Sequence, residues 1–511
     1  MKDKHNHKRR DESLSKKIEE NEDSISQLPM ERRQFLKNSC ALGLSSAAAA
    51  AGIVKFPSLL SSSQAFAAST APRYLFTICT TGGASIVDSF LAQTTGPAAY
   101  ADLTKPGNGV FSAVPVLQNS IQGAIPLGNG YPSATFITKH GGDMVVMTCE
   151  VSSVNHLIAA KRAMTGDNVF GGKTIGEAQA LAYGEKYPLA NLLLAGGGYG
   201  AEGDDRLLPG FARGQTVADP LMFAFATHGF KGLNQPLSNN DIMALRQLRT
   251  QVEAAAPLMA AGQKSPILQN YLENRNRVVA MLENGDTITK MMLRDPSTSN
   301  LQAFGLQTSQ DFELVRSKFT ALATDPFEAR LALGFLAVKN KLSVSVTITP
   351  SQAPLITAQG TPNAPIAFDW SHVDHRGAQN SMWSYVLKGT DSLIDLLKAT
   401  DDPHAGDGSK MWDRSVIYLA TEFGRDKIAT GGSGHHLNNG VVMISPLLKG
   451  GKIFGGVDPA TGLTFGFDGK TGEPLPKLWM SEKDIFSALA MALGIKFQGQ
   501  KDLSSMVRQP V

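Results

Sequence analysis

The sequence predicts an α/β protein built on a mostly parallel β-sheet with helices on both faces. Three observations lead to this prediction. Short apolar runs alternate along the chain with segments of helical periodicity. A glycine turn at Thr81, Gly82 and Gly83 directly follows the first apolar run. The 50 glycines among 511 residues also fit an enzyme-like fold with long loops and tight turns.

The predicted elements follow one another in α/β order. Apolar and alternating runs predict strands at 73–80, 143–149, 189–195, 342–349, 415–421 and 441–445. Helices are predicted from about 155 to 164, over 379–397, and over 481–493, where Gly494 ends the last helix. Residues 68–511 are therefore expected to form a single α/β domain, with a helical insertion at about 235–340.

The first 67 residues have the features of an export signal. Arg32 and Arg33 stand in a segment that resembles the twin-arginine motif, and a weakly hydrophobic stretch follows at 41–60. A small-x-small cleavage signal ends at Ala67. The alternative is a membrane anchor, but the stretch holds five consecutive alanines, a lysine and a proline. We expect a cleaved signal, the twin-arginine translocase as export partner, a periplasmic or secreted mature chain, and no stable membrane span in it.

The charge balance of the mature chain excludes two classes of partner. Residues 1–67 hold 11 Lys+Arg and 8 Asp+Glu, which leaves 37 of each sign in the remainder. A neutral chain gives no electrostatic basis for binding nucleic acid or an anionic membrane surface. Cys79 and Cys149 remain after cleavage, and a disulfide and two buried thiols are both open. Without a CxxC pattern, a cysteine zinc site is not supported.

Residues able to carry chemistry concentrate in three short stretches near predicted strand ends. The stretches are SSVNHLIAAKRAMTG, FDWSHVDHRGAQ and TEFGRDKIATGGSGHH, and their candidate residues are His156; Asp369, His372, Asp374 and His375; and Glu422, Arg425, His435 and His436. Open α/β sheets bind ligands at the carboxyl ends of their strands. Mixed carboxylate and imidazole groups suit a divalent zinc or manganese ion better than calcium. The alternative is that these polar residues brace long loops.

These stretches, together with TGGASIVDSF at 81–90, resemble the alkaline phosphatase-like superfamily, which includes sulfatases. More narrowly, they resemble the twin-arginine-exported bacterial family called domain of unknown function 1501. The resemblance implies a three-layer α/β sandwich with Asp88 as a metal ligand on the first strand's loop. It also implies that the Asp369–His375 cluster supplies a second group of ligands and that His435 or His436 is the last ligand. Glu422 would stand where phosphatases often carry an Asp-His pair.

The resemblance fails at the nucleophile. Counting back ten residues from Gly166, where the superfamily places Ser, Thr or Cys, gives His156. We expect His156 to act at a helix N-terminus as a metal ligand or water-orienting base, with a pKa lowered by the helix dipole. Asn155 is expected to hydrogen-bond an anion. Ser152 and Ser153 are the fallback nucleophiles, but they are expected to cap the helix start. The alternative is that His156 only packs under the helix.

Two functions remain open at this level. The first is an exported, metal-dependent hydrolase of phosphate or sulfate esters, acting on an anionic small molecule or polymer, with Arg425 holding a non-bridging oxygen in bidentate fashion. An ordinary salt bridge is the alternative for Arg425. The second function is a non-catalytic cell-envelope or secreted binding protein that keeps the fold. The metal hypothesis expects one set of side chains to converge at the carboxyl edge of the sheet: Asp88, Asp374, His375, Glu422, and His435 or His436. Asp369 and His372 are expected beside them, as hydrogen-bonding neighbours of the ligands.

Overall fold

The computed structural model describes most of the chain after residue 71. Every described residue belongs to one compact unit, Phe66–Val511. The predicted export signal lies outside the described residues, and so do parts of the predicted helical insertion. The described ranges are 72–93, 102–103, 131, 133–167, 171–195, 197–224, 239–255, 287–301, 307–350, 367–426, 431–458 and 461–508.

An eight-stranded sheet forms the centre of the fold. Its strands are β1 (Tyr74–Thr80), β4 (Met144–Glu150), β5 (Asn191–Leu194), β6 (Gly214–Thr216), β7 (Ser345–Ile348), β8 (Ser415–Thr421), β11 (Asn438–Ile444) and β12 (Lys452–Phe454). They stand in the order β12-β4-β11-β8-β1-β7-β5-β6. Four of the six predicted strands match within two residues at each end, β7 starts three residues later than predicted, and β11 starts three residues earlier.

One strand of this sheet runs against the others. β11 pairs antiparallel with both β4 and β8, whereas β1 pairs parallel with β7 and β8, and β5 pairs parallel with β6 and β7. The sheet is thus mixed but mostly parallel. Because β11 is reversed, its first residue, Asn438, lies at the edge where β4 and β8 end.

The strands of the sheet are buried on both sides because helices cover both of its faces. Along β1, Tyr74, Phe76 and Ile78 belong to one hydrophobic core, while Leu75 and Cys79 belong to another. This alternation follows from the two-residue period of a strand. Each core is closed by its own helices.

The first core packs under α1 (Ile86–Phe90), α2 (Ser133–His140), α8 (Pro326–Lys339) and α9 (His375–Ala399). The second packs under α3 (His156–Thr165), α4 (Ile175–Tyr183) and α10 (Glu482–Leu493). Local signals set several ends. Asn155 caps α3, which ends at a left-handed Gly166, and Gly494 ends α10 in the same conformation, as its sequence predicts.

Smaller elements complete the described chain. The helices are α5 (Asn239–Ala255), α6 (Thr287–Lys290) and α7 (Phe312–Lys318). Short strands are β2 (Ala92–Gln93), β3 (Asp102–Leu103), β9 (Gly424–Arg425), β10 (His435–His436), β13 (Gly456–Val457), β14 (Thr464–Phe467) and β15 (Pro474–Leu475). Turns of 3₁₀-helix stand at Gly141–Asp143, Gly197–Gly200, Gly210–Ala212, Ala367–His372 and Met411–Arg414.

Two further findings bear on the sequence-based expectations. Cys79 and Cys149 are both free and buried, on strands that are not neighbours, and burial raises the pKa of each thiol well above its usual value. Among the described helices, none is both long enough and apolar enough to cross a membrane.

Candidate metal centre

The candidate site lies at one edge of the sheet, where several chain segments meet. β1, β4 and β8 end there, and the reversed β11 begins there. The segment before β11 is tied to its neighbours by backbone hydrogen bonds. Ser433 N donates to Ser371 O at 2.6 Å, and Val151 N donates to Leu437 O at 2.8 Å. Loops that are far apart in sequence are thereby held side by side.

Asp369 and His372 share one face of a short 3₁₀ turn, Ala367–His372. Side chains three residues apart eclipse one another in a 3₁₀-helix, which has three residues per turn. Accordingly, Asp369 Oδ1 lies 3.2 Å from His372 Nε2. Both side chains remain accessible, at 19% and 41% exposure.

His156 is the first residue of α3 and reaches this pair. Its Nδ1 lies 2.6 Å from Glu422 Oε2, and its Nε2 lies 3.6 Å from Asp369 Oδ1. Nδ1 donates to the carboxylate, so the lone pair of the neutral ring is on Nε2 and faces Asp369. A carboxylate that orients a histidine in this way is typical of metal sites.

His435 approaches from the segment before β11. Its Nδ1 lies 2.9 Å from the carbonyl oxygen of Val154, which can only accept, so Nδ1 carries the hydrogen. Its Nε2 lies 3.6 Å from Asp369 Oδ1 and 2.8 Å from His372 Nε2. His436 is the next residue of β10, and because adjacent residues of a strand face opposite sides, it points away from the cluster.

Phe423 supports the cluster from beneath. Its buried ring stacks on His435, with ring centroids 4.0 Å apart, and lies 5.0 Å from the ring of His156. Gly83 makes room for it, since a Cβ at this position would clash with the Phe423 ring. Gly83 also has a φ of +76°, which favours glycine.

Three converging ligand atoms fit a divalent cation. His156, Asp369 and His435 offer ligand atoms that all lie within 4.8 Å of one another. Ligands at 2.0–2.2 Å from a tetrahedral zinc ion would be about 3.3–3.6 Å apart, close to the 3.6 Å separations of Asp369 Oδ1 from each of the two histidine Nε2 atoms. Lone pairs that face one another repel, and a shared cation turns that repulsion into attraction. Imidazole-rich sets of this kind favour zinc over calcium.

The protons available support the same conclusion. A neutral His372 Nε2 can donate to His435 Nε2 or accept from Arg425 Nη1 at 3.3 Å, but it cannot do both. Burial, and then the charge of Arg425, lower the pKa of His372, which favours the neutral ring. The cluster thus has fewer protons than its contacts need.

Arg425 is not the expected oxyanion clamp. Its side chain is 0% exposed, and its donors are all used within the protein. Nε donates to Gly83 O at 3.1 Å, Nη1 to Ser433 O at 3.2 Å, and Nη2 to Gly82 O and to Asp369 Oδ1 at 2.9 Å. Arg425 ties the loops together and holds Asp369 in place.

The charges of the cluster are coupled. Burial would raise the pKa of Asp369, but the neighbouring His435 and the hydrogen bond from Arg425 outweigh it and lower the pKa to about 2. The hydrogen bond to Glu422 raises the pKa of His156 above its ordinary value. The expected lowering by the helix dipole is therefore wrong, because a carboxylate in contact outweighs a partial charge at the helix end.

Three predicted ligands are not in the cluster. Asp88 and His375 form a separate pair, with Asp88 Oδ2 2.9 Å from His375 Nε2, and both side chains are at most 1% exposed. Ser85 donates to the same carboxylate oxygen at 2.6 Å. Asp374 caps α9, since its Oδ1 accepts from Gly377 N at 3.0 Å. The expected convergence of Asp88, Asp374 and His375 with Glu422 is therefore not found in the described contacts.

The polar residues before α3 also differ from expectation. Asn155 caps the helix through Oδ1, which accepts from Ile158 N at 3.3 Å, so this oxygen serves the helix. Ser152 does not cap it: its N–H and hydroxyl both donate to Glu482 Oε1 at 2.7 Å. Ser153 Oγ accepts from Asn155 N at 3.1 Å.

Sequence reasoning missed the groups that position the ligands. The carbonyl oxygen of Val154 fixes His435, the carbonyls of Gly82 and Gly83 hold Arg425, and Phe423 packs under two histidines. Backbone carbonyls leave no sequence signal. Phe423 did leave a signal in the sequence, because an aromatic residue next to the predicted ligand Glu422 indicates a ring that packs against a neighbouring histidine.

A second group of potential ligands, His140, Asp391 and Asp395, is already paired with the ammonium group of Lys139. Lys139 Nζ lies 2.6 Å from both aspartates, and His140 Nε2 lies 2.7 Å from Asp391 Oδ1. This group links α2 to α9 as an ion-pair network.

No protein-family model matches this chain, and no curated protein matches it either.

Proposed function

We propose that this chain is an exported, metal-dependent hydrolase of phosphate or sulfate esters, with an alkaline phosphatase-like fold. The observation that carries the proposal is the convergence of His156 Nε2, Asp369 Oδ1 and His435 Nε2, with His372 beside them, at a solvent-open edge of the sheet. His156, Asp369 and His435 would hold the metal ion, with zinc favoured and manganese second. The ion would supply the Lewis acidity that activates water and neutralises charge on an ester oxygen.

The charge balance favours an anionic substrate. Among side chains in direct contact with the cluster, Asp369 and Glu422 are negative and Arg425 is positive. A bound divalent cation would give these groups a net positive charge. The N-terminus of α3, where His156 stands, adds the partial positive charge of a helix end. A phosphate or sulfate group is complementary to such a centre.

The residues around the ion would have defined tasks. Glu422 keeps the hydrogen of His156 on Nδ1, and the Val154 carbonyl does the same for His435, so both Nε2 atoms stay available. Arg425 holds Asp369 Oδ1 from the buried side. Water, and not a side chain, would be the nucleophile, because a histidine stands at position 156, where the resemblance expects Ser, Thr or Cys, and the Ser152 hydroxyl donates to Glu482 Oε1.

The histidine at position 156, in place of a Ser, Thr or Cys nucleophile, favours the second candidate, a non-catalytic binding protein of the cell envelope. In that case, the metal centre would hold an anionic group of a polymer or a partner protein without cleaving it. The two candidates share the metal and differ only in turnover.

The neighbouring histidines of β10 provide a matched test. The mature protein, residues 68–511, would be analysed for zinc and manganese and assayed with 4-nitrophenyl phosphate, a phosphodiester and a sulfate ester. We expect about one metal ion per chain and hydrolysis of at least one ester. His435→Gln should lower both metal content and activity at least about 100-fold, whereas His436→Gln should leave both within about threefold.

The outcomes separate the candidates. Metal binding that depends on His435, without turnover of any ester, supports the binding protein. Equal effects of the two substitutions, or no bound metal in the wild-type protein, would refute the metal centre itself.

Export is proposed from the sequence of residues 1–67. Replacing Arg32 and Arg33 by lysine should keep the precursor in the cytoplasm, and cell fractionation with an antibody measures this. Normal export of the doubly substituted precursor would contradict the proposal.

A further inference from the structure

From the surface around the metal centre, we infer that the substrate is an ester of an apolar alcohol, in which an alkyl chain lies along the first turns of α3 beside His156. This inference rests on the proposed function, because it assigns the non-reacting part of the same substrate. It starts from the position of the exposed apolar side chains.

The segments that carry His156, His372 and His435 each also expose a large apolar side chain close to the histidine. Leu157 and Ile158 follow His156, Val373 follows His372, and Val154 and Leu437 stand beside the contacts of His435. These five side chains are between 38% and 69% exposed. Scattered exposed apolar residues are ordinary, but a set that surrounds one polar centre indicates a binding surface.

Hydrogen bonds hold together the segments that carry these five residues. The carbonyl oxygen of Val154 accepts from His435 Nδ1 at 2.9 Å, and Val151 N donates to Leu437 O at 2.8 Å, so the segments before α3 and β11 run side by side. On the other side, His375 N donates to Gly431 O at 3.0 Å. The apolar set is therefore fixed relative to the ligands, and we call it the apolar rim.

A groove extends this rim along α3. It has a volume of about 370 Å³ and is lined by Leu157, Ile158, Lys161, Arg162, Thr165, Asp167 and Asp204. Leu157 and Ile158 follow His156 in the first turn of α3, so the apolar end of the groove is one residue from a proposed ligand, and the polar and charged lining residues lie further along the helix. Its volume is within the range of small-molecule sites.

The rim is poorly suited to a sugar or another polyhydroxy alcohol. Such a leaving group needs several hydrogen-bonding side chains, whereas the five exposed side chains of the rim have none. Asn155 Oδ1 caps α3, and Lys161 pairs with Asp204 at 2.7 Å. An alkyl chain needs only apolar surface, and each methylene that it buries improves binding.

Two alkylphosphonates provide a test that does not depend on turnover. Methylphosphonate and octylphosphonate carry the same charged head group and resist hydrolysis. Calorimetry with zinc-loaded protein, at octylphosphonate concentrations below those at which it aggregates, therefore measures the contribution of the alkyl chain to binding. We expect octylphosphonate to bind at least about tenfold more tightly than methylphosphonate. Leu157→Gln should remove most of that difference and leave the dissociation constant of methylphosphonate within about twofold.

A control substitution and two other outcomes make the result decisive. Leu314→Gln changes an exposed leucine on α7, away from the metal centre, and should alter neither ligand. Equal binding of the two phosphonates, or a chain effect that Leu157→Gln does not change, would overturn the inference while methylphosphonate binding still supports the proposed function. If neither phosphonate binds, the inference and the proposed function are both wrong. If Leu157→Gln only weakens sedimentation with phosphatidylcholine vesicles, the rim contacts a membrane and the inference is wrong.

Discussion

Two pairs of the same residue types, an aspartate and a histidine, behave differently in this protein. Asp369 and His372 stand at the solvent-open edge with other lone pairs facing them. Asp88 and His375 are buried between α1 and α9, where Ser85 also binds the carboxylate. The first pair faces further ligand atoms at an open edge. In the second pair, Asp88 Oδ2 accepts from Ser85 and contacts His375 Nε2, and His375 Nδ1 has no hydrogen-bond partner in the described chain. Residue type alone therefore does not make a ligand; the access to solvent and the presence of further ligand atoms decide it.

The largest expected difference between the pairs is in metal affinity. Asp369→Asn removes the charge from the oxygen that lies within 3.6 Å of three histidine nitrogens. Zinc affinity, measured by competition with a chelating dye, should fall at least about 100-fold, beyond the usual cost of losing an outer partner. Asp88→Asn should change it less than about threefold. If Asp88→Asn has the larger effect, Asp88 and not Asp369 is the metal ligand.

Stability should show the opposite order. His375→Ala leaves the buried Asp88 carboxylate without its imidazole partner and opens a cavity, so the free energy of unfolding should fall by at least about 2 kcal/mol. His372→Ala, at a 41% exposed side chain, should change it by less than about 0.5 kcal/mol. Urea unfolding of metal-free protein measures both, since bound metal would add its own stabilisation. Similar losses in the two variants would mean that the exposed pair is also structural.

Glu422 lies between these extremes, because it is buried but contacts only one ligand. Glu422→Gln keeps an acceptor for His156 Nδ1 and loses the negative charge. We expect zinc affinity to fall about 10- to 100-fold, the usual effect of an outer carboxylate. The same dye competition measures it. A complete loss of metal would identify Glu422 as a direct ligand, as the family resemblance implies.

The sequence predicted the strands that carry the site because their apolar runs are unambiguous. β1, β4 and β8 begin and end within a residue or so of their predicted bounds, and Gly166 ends α3 as expected. Placing His156 at a helix N-terminus was also correct. What these features have in common is that local sequence determines them.

The assignment of ligands within each stretch failed at a helix boundary. The helix predicted at 379 begins at His375, so Asp374 becomes its cap and His375 turns into the core. The 3₁₀ turn just before it places Asp369 and His372 together on the exposed face. An aspartate three residues before Gly377 is a capping signal that the sequence did contain. The reversal of β11, by contrast, depends on tertiary pairing and leaves no local signal.

The smallest expected effect is on pH dependence, and it separates the open cluster from an ordinary exposed histidine. Because the hydrogen bond to Glu422 raises the pKa of His156, its imidazole stays protonated to a pH above 6.5 in the metal-free protein. Protons then compete with the metal, so zinc affinity should begin to fall at a pH above 6.5 as the pH is lowered. The stability of the metal-free protein has the opposite sign: the contact contributes fully below pH 6.5 and is lost as the pH rises through the raised pKa. In Glu422→Gln, both transitions should move to lower pH. Zinc titrations between about pH 5.5 and 8.5 measure the change in affinity, and NMR of the His156 ring in metal-free protein measures the protonation of the imidazole. An identical pH profile in wild type and Glu422→Gln would show that Glu422 does not control the His156 proton.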